Sequence, residues 1–131
     1  MIGVVIVGHG RLAHEYLAAI EHVMGPQEAI EAVSTTAECD RSDKQAEICA
    51  AADRVDQGDG VVVVTDMFGG SPSNLSMKAC DCSDRRIIYG ANLPMLLKLT
   101  KSRRLSMQQA IEASVQAGKK YIDSCNGSAG I

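Results

Sequence analysis

The sequence predicts an α/β domain of three layers, a doubly wound, mainly parallel sheet with helices on both faces. Two runs of apolar residues, Ile2-Gly3-Val4-Val5-Ile6-Val7 and Val61-Val62-Val63-Val64, are typical of strands buried on both faces of a parallel sheet. Segments with helical periodicity follow strand-like segments along the whole chain, which implies parallel strands with right-handed crossovers. The 46% apolar fraction, with no Trp and one Phe, also fits a layered aliphatic core.

Length and charge restrict the class of protein further. The 131 residues can bury one real core, and we predict one domain over residues 1–125 and a short polar tail over 126–131. The formal net charge of −3 without a basic block argues against a nucleic-acid partner. The amino-terminal apolar run is too short to span a membrane and lacks the basic start of a signal peptide, so we expect a cytoplasmic protein.

The five cysteines predict free thiols. Their number is odd, and none forms the Cys-x-x-Cys spacing of redox and zinc sites. Thiols also stay reduced in a cytoplasm. Cys80-x-Cys82 resembles half of a metal site, but no second ligand pair stands at a fitting distance. We therefore expect neither a metal ion nor another cofactor.

The first strand ends in a histidine between two glycines. Gly8 and Gly10 let the backbone turn sharply around His9 and approach a ligand closely. A helix follows, because apolar residues recur at helical spacing, and Gly25-Pro26 ends it. The apolar face of this helix consists of Leu12, Tyr16, Ala19, Ile20 and Val23.

A second strand and a second helix come next. The segment Ala29-Ile30-Glu31-Ala32-Val33-Ser34 is less apolar than the first strand, which places it nearer an edge of the sheet. Ser42-Asp43-Lys44-Gln45 has the pattern of a capping box and predicts the start of a helix. We expect that helix to bury Cys49, Ala52 and Val55 and to end at Gly58.

Two more strands lead into helices. The third strand, Val61-Val62-Val63-Val64-Thr65-Asp66, precedes a helix for which Ser71 is the expected N-cap and Pro72 the first residue. The fourth strand, Ile87-Ile88-Tyr89-Gly90-Ala91, leads through Asn92 into a short helix. A second capping box, Ser106-Met107-Gln108-Gln109, opens a last helix that runs to about Ser124.

Three predicted strands end in His9, Asp66 and Asn92, and parallel strands bring such ends to one edge, where open α/β sheets bind ligands. An aspartate within hydrogen-bonding distance would fix one ring nitrogen of His9 as N–H and leave the other as an outward lone pair. Such a histidine is a nucleophile, and the carboxylate would stabilise its positive ring once it has bonded to an electrophile. Taken singly, each residue also fits a structural role in a turn or a helix cap.

The loop after the third strand has the composition of an anion cradle. Gly69 and Gly70 expose backbone N–H groups, Ser71 adds a hydroxyl, and the next helix directs its positive end at the loop. The structural alternative is an ordinary strand-to-helix turn. The chain has no Gly-x-x-x-x-Gly-Lys-Ser/Thr loop and no evident pair of magnesium carboxylates, so a phosphoprotein fits as the phosphoryl donor better than ATP.

Gly8-His9-Gly10 also invites two other interpretations. With Arg11-Leu12-Ala13 it forms the dinucleotide fingerprint G-x-G-x-x-A, but the second strand lacks an acidic residue at its end, and Glu38 lies beyond it. A histidine phosphatase would need Arg-His-Gly at this place. Both interpretations fit the sequence less well than phosphohistidine chemistry.

The sequence resembles the mannose-family IIA component of the bacterial phosphoenolpyruvate-dependent sugar phosphotransferase system over essentially its full length. Three motifs carry the resemblance: Val7-Gly8-His9-Gly10, Thr65-Asp66-Met67-Phe68-Gly69-Gly70-Ser71-Pro72-Ser73-Asn74 and Gly90-Ala91-Asn92-Leu93-Pro94-Met95-Leu96. A related domain of dihydroxyacetone kinase systems is the nearest alternative. The Gly69-Gly70-Ser71-Pro72 and Asn92-Leu93-Pro94 motifs favour the mannose type.

The resemblance implies a phosphocarrier. His9 would accept a phosphoryl group from the phosphocarrier protein HPr and pass it to a histidine of a IIB protein, with Asp66 orienting the ring and Ser71 near the phosphate. It also implies a homodimer that exchanges an antiparallel edge strand, for which Arg103-Arg104-Leu105 is the candidate here. A IIC/IID membrane permease would be reached only indirectly. The residues expected to line the site or contact a partner are Gly10, Arg11, Phe68, Asn92 and Pro94.

Two departures from the family bear on function. Phe68 stands where some members have Trp, which could alter a partner contact. No alanine- and proline-rich linker to a IIB domain follows, so the acceptor would be a separate protein, or the phosphorylation state would serve regulation. We expect neither His14, a solvated or partner-facing residue, nor His22, a surface residue, to be phosphorylated.

Overall fold

The fold is a parallel sheet covered by helices, seen in a computed structural model that describes residues 1–67, 74–76 and 84–128. The strands of this part of the chain are β1 (Gly3–His9), β2 (Ile30–Thr35), β3 (Val61–Thr65) and β4 (Arg85–Ile88). Its helices are α1 (Leu12–Met24), α2 (Arg41–Val55), α3 (Leu93–Lys101) and α4 (Met107–Lys120). The strand order is β2-β1-β3-β4 and every neighbouring pair is parallel, which confirms the predicted fold class.

The two central strands supply both cores, because successive side chains of a strand point to opposite faces. One set packs beneath α1, α3 and α4, and the other packs beneath α2. The first set is Val4, Ile6, Val62 and Val64, and the second is Val5, Val7, Val61 and Val63. None of these side chains is more than 1% exposed, so both strands are buried on both faces, as predicted.

The helix α1 covers the sheet with a narrower face than predicted. Ala13 and Ile20 are buried, and Tyr16 packs against the same core. Leu12 and Val23, however, are 39% and 58% exposed. They belong to the first and last turns of the helix, where periodicity alone overestimates burial.

The start and the end of α2 differ from the prediction. Its N-cap is Asp40, whose carboxylate accepts the N–H of Asp43 at 3.0 Å, so the predicted capping box at Ser42 is wrong. Aspartate is as good an N-cap as serine, and the acidic residue two positions earlier takes the role. The helix ends at Val55 and not at Gly58, because Asp56 is already extended.

The burial of α2 also differs in part. Ala52 and Val55 are buried as expected, but Cys49 is only partly buried, and Ile48 and Ala51 form the rest of the buried face. Ile48, Ala51, Ala52 and Val55 have the spacing i, i+3, i+4, i+7 of a single helix face, and Cys49 lies at its margin.

The fourth strand and the last helix are shifted from the predicted bounds. β4 is Arg85–Ile88, which begins earlier and ends earlier than predicted. Its first two residues are arginines. Among the described strands β4 lies at the edge of the sheet, where polar residues are tolerated, so an apolar pattern did not predict its start. The N-cap Ser106 is confirmed, since its hydroxyl accepts the N–H of Gln109 at 3.2 Å. α4 ends at Lys120, short of Ser124.

The residues proposed for an exchanged edge strand form a turn in this chain. Residues 102–105 connect α3 to α4 as a turn and bend, so the placement of a strand at Arg103-Arg104-Leu105 is wrong. The exchange itself stays a prediction. Among the described residues, no helix has the length and apolar character that a membrane crossing requires.

Arg103, which lies in this turn, forms hydrogen bonds to the residues that precede β2. It is 4% exposed, and its Nη1 donates to the carbonyls of Glu28 at 2.7 Å and Ala29 at 3.3 Å. Its Nη2 donates to the side chain of Gln27 at 3.1 Å. Ala29 has a φ of 55°, a left-handed conformation that costs a residue with a Cβ about 1 kcal/mol. Burial, and then the charge of Arg104, lower the pKa of Arg103.

We expect Arg103→Ala to destabilise the protein by about 2–4 kcal/mol, because it removes a buried side chain whose guanidinium bonds the carbonyls of Glu28 and Ala29 beside a strained residue. Arg104→Ala is the matched control, since Arg104 is exposed, and it should change stability by less than about 0.5 kcal/mol. Urea titrations of the two variants measure the difference. Equal midpoints would show that the buried guanidinium contributes nothing.

Candidate functional site

The carboxyl ends of β1 and β3 meet at one edge of the sheet. His9 is the last residue of β1, and Asp66 follows directly after β3. The register pairs Val7 with Thr65, so the residues that follow these two positions are neighbours. The structure brings His9 and Asp66 into contact through two hydrogen bonds. Asp66 Oδ2 lies 2.8 Å from His9 Nδ1 and 2.9 Å from the backbone nitrogen of His9.

This contact determines the tautomer of His9. A carboxylate oxygen only accepts hydrogen bonds, so Nδ1 must carry the proton. Nε2 is then left with its lone pair, on the far side of the ring from Asp66. The His9 side chain is 51% exposed, whereas that of Asp66 is 11% exposed. The arrangement is a nucleophilic nitrogen that faces solvent from a ring anchored by a nearly buried carboxylate.

The turn around His9 depends on the two glycines and on a threonine that the sequence pattern did not single out. A Cβ on Gly8 would lie 3.2 Å from the backbone nitrogen of Ala13 and 3.5 Å from Asp66 Oδ2. Gly10 has a φ of 55° and donates its N–H to the carbonyl of Thr35 at 2.8 Å. The buried hydroxyl of Thr35 donates to the carbonyl of Gly8 at 3.2 Å. Glycine at both places and the end of β2 therefore hold the turn.

Asn92 lies at the carboxyl edge of the sheet, but its side chain is engaged in structural hydrogen bonds. Its Oδ1 accepts the N–H of Met95 at 3.0 Å as the N-cap of α3, and its Nδ2 donates to the carbonyl of Gly118 at 2.9 Å. The amide thus joins α3 to α4 near the site. A direct chemical role, which the sequence left open, would have to break these bonds.

Pro94 and Arg11 have contacts of their own outside the His9–Asp66 pair. Pro94 lines a groove of about 680 Å³ between α3 and α4, whose walls include neither His9 nor Asp66. Arg11 is exposed, and its guanidinium lies 3.8 Å from the carboxylate of Glu15. The His9 side chain is about half exposed.

Several predicted site residues lie outside the described part of the chain. These are Phe68, Gly69, Gly70 and Ser71, together with Pro72, Cys80 and Cys82. The anion cradle therefore remains a prediction. Asp66 Oδ1 is buried and has no hydrogen-bond partner within the described residues.

Tyr16 is a residue near the site that the sequence suggested only as part of the helix core. Its hydroxyl donates to the carbonyl of Ala91 at 3.1 Å. Burial, and then the negative charge of Asp66, raise the pKa of Tyr16. Side chains that connect distant segments in this way leave no periodic signal in the sequence.

His14 offers a comparison within the same chain. Its Nδ1 lies 2.9 Å from the hydroxyl of Ser34, and the residue is exposed. His14 is therefore anchored at the same nitrogen as His9, but by a neutral group. Only His9, among the histidines of the described chain, has a carboxylate as its partner.

The fold and the site define an α/β protein that presents a carboxylate-anchored histidine at the carboxyl edge of a parallel sheet. A family model described as the PTS system fructose IIA component, EIIA-man, matches residues 3–117. The chain belongs to this family of IIA components of the phosphotransferase system, which confirms the family inferred from the three motifs.

Relatives and solved structures agree with this assignment. The mannose-specific EIIAB component of the phosphotransferase system of Escherichia coli (strain K12) is 26% identical over 124 residues, which are 92% of this chain and 38% of that protein. The chain thus spans well under half the length of the curated relatives it matches. The mannose/sorbose specific IIA subunit of Enterococcus faecalis is 26% identical with a TM-score of 0.85, and 95% of each chain is covered.

A further solved structure shares the fold. The EIIA component of Streptococcus agalactiae has a TM-score of 0.84 at 23% identity, with 95% of this chain and 97% of that chain covered.

Asp66→Ala should release the ring of His9 from a single tautomer. Without the acceptor, Nδ1–H loses its advantage, and we expect a mixture of the two neutral forms in place of Nδ1–H alone. Two-bond ¹H–¹⁵N correlation spectra distinguish the forms. His14 is an internal control, because Ser34 holds it and not Asp66. A His9 spectrum unchanged by the substitution would mean that Asp66 does not set the tautomer.

Proposed function

We propose that the protein is a phosphohistidine carrier of a sugar phosphotransferase system, with the phosphoryl group on Nε2 of His9. The observation that carries the proposal is the pair of hydrogen bonds from His9 to Asp66 Oδ2, which in the neutral ring places the proton on Nδ1 and the lone pair on Nε2 of a half-exposed side chain. The donor would be phosphorylated HPr. The acceptor would be a separate IIB protein, or the phosphorylation state itself would act in regulation.

The chemistry is a direct exchange between two ring nitrogens. The lone pair of His9 Nε2 forms a bond to the phosphorus, the phosphorus–nitrogen bond of the donor breaks, and its electron pair returns to the donor ring. The His9 ring then carries a positive charge, with its proton still on Nδ1. Asp66 faces that charge at 2.8 Å and stabilises the phosphorylated state. Transfer to the acceptor reverses these steps.

The surface around His9 suits a protein partner better than a small molecule. Leu12, Met67 and Tyr89 follow β1, β3 and β4 in the chain, and they are 39%, 54% and 38% exposed. Large apolar side chains around a polar centre are typical of protein interfaces. A donor that is itself a protein could bury them as it presents its phosphohistidine.

A dinucleotide-binding module is the weaker alternative. Its acidic ribose ligand would stand at the end of β2, where the chain has Thr35. That threonine is 2% exposed and bonded to the backbone of Gly8, so it supports the turn. A phosphotransfer subunit of the dihydroxyacetone kinase type would use the same histidine with other partners.

The assembly and location that we propose follow the family. We infer a cytoplasmic homodimer with an exchanged edge strand, which reaches a IIC/IID permease only through a IIB protein. The E. coli relative is a mannose-specific EIIAB component, which supports a mannose-type system for this chain.

Incubation with phosphoenolpyruvate, enzyme I and HPr should give an acid-labile phosphate adduct, and His9→Gln should abolish it because the nucleophile is lost. His14→Gln is the matched control, since it removes a histidine that is also anchored at Nδ1. We expect full labelling of that control. Label in His9→Gln, or its loss in His14→Gln alone, would refute the assignment.

The two supporting residues should rank below His9 in their effects. Asp66→Asn keeps the size of the side chain but not its charge, so we expect transfer to slow about 10–100-fold, the usual loss on removing an orienting partner. Ser71→Ala should slow transfer less than about tenfold, because backbone N–H groups would still hold the phosphate. Rapid-quench rates from phosphorylated HPr give the order. Unimpaired transfer in Asp66→Asn would leave Asp66 a structural role only.

A further inference from the structure

The backbone that carries Asp66 is tied to the loop after β4. The N–H of Ala91 donates to the carbonyl of Thr65 at 3.0 Å. Thr65 is the last residue of β3 and directly precedes Asp66. The ladder between β3 and β4 ends at the pair of Val64 and Ile88, so this bond is a separate attachment beyond the sheet.

That loop is in turn held by helix α1. The hydroxyl of Tyr16 donates to the carbonyl of Ala91 at 3.1 Å, while the N–H of Ala91 is engaged by Thr65. Gly90, just before it, has a φ of 73°, so the loop turns sharply at this point. Ala91 is therefore fixed from two sides, by α1 and by the end of β3.

The backbone that precedes Asp66 has this attachment in addition to the pairing of Thr65 with Val7 in the sheet. One oxygen, Oδ2, makes both bonds to His9, and the buried Oδ1 has no partner within the described residues. The carboxylate is thus held by its bonds to His9 and by the backbone of Asp66, which continues directly from Thr65. A shift of Thr65 would move Oδ2 relative to both nitrogens of His9.

We propose that Tyr16 is a positioning residue for phosphoryl transfer, which holds Asp66 against His9 through Ala91 and Thr65. The proposal rests on the proposed function for its kinetic part, but its structural part is independent of it. The hydroxyl touches neither Asp66 nor the phosphoryl group. The hydroxyl instead holds the loop after β4 in the position from which the N–H of Ala91 bonds to Thr65.

Tyr16→Phe removes the hydroxyl and keeps the ring that packs against the core. We expect the rate of transfer from phosphorylated HPr at saturation to fall about fivefold, the loss that one net hydrogen bond corresponds to. The KM for the donor should stay unchanged, because the partly buried hydroxyl bonds within the chain. Tyr121→Phe makes the same substitution at a residue that is 65% exposed, and it should have the rate of the unmodified protein.

The tautomer of His9 is the second readout, and a merely structural role would not change it. In Tyr16→Phe the ¹H–¹⁵N spectrum should show part of the Nε2–H form, as Asp66 loosens, while the signals of His14 stay as they were. Thermal melts of both tyrosine variants account for any change in folding. A slower transfer with an unchanged His9 tautomer, or an unchanged rate, would overturn the proposal. An unmodified protein that takes no phosphoryl group would refute the proposed function, and the tautomer in Tyr16→Phe would still decide whether Tyr16 positions Asp66.

Discussion

One carboxylate oxygen, Oδ2 of Asp66, organises this end of the molecule. It accepts hydrogen bonds from the backbone of His9 and from the ring of the same residue. The first bond fixes the backbone position of His9, and the second fixes the orientation of its ring. The tautomer of the neutral ring and the direction of Nε2 follow from this double contact. A residue anchored by only one of the two bonds could rotate about its side-chain torsions, and Nε2 would lose its direction.

The sheet makes this contact possible at low cost. β1 and β3 are neighbours and parallel, so their carboxyl ends come together without any special loop. Their side chains are buried on both faces, so this pair of strands lies at the centre of the core. Gly8 then allows the close approach of the Ala13 nitrogen, and Thr35 ties the turn to β2. His9 ends β1 and Asp66 directly follows β3, so both residues are placed by buried strands.

The features that sequence could predict are those carried by local pattern and by topology. The valine-rich runs predicted β1 and β3, and the rule for parallel strand ends predicted that His9 and Asp66 lie together. The features that the sequence did not predict depend on a choice between local candidates or on tertiary contacts. The N-cap of α2 is Asp40 and not Ser42, because two nearby residues could both serve as the cap. The edge position allowed β4 to begin with two arginines, and the bond from Tyr16 to Ala91 joins segments 75 residues apart. No periodicity encodes such a bond.

The comparison of His9 with His14 shows why the charge of the anchor matters more than its geometry. Both rings are held at Nδ1 at nearly the same distance, 2.8 Å and 2.9 Å. A neutral hydroxyl contributes about 1 kcal/mol to either protonation state. Two opposite charges about 4 Å apart attract each other by about 4 kcal/mol at an effective dielectric constant of about 20, and the half-exposure of the His9 ring reduces this figure. The attraction acts only when the ring is positive, whereas the hydroxyl bond is open to both protonation states. In the proposed function, phosphorylation would make the ring positive, so Asp66 would favour the loaded state of His9 in a way that Ser34 cannot favour for His14.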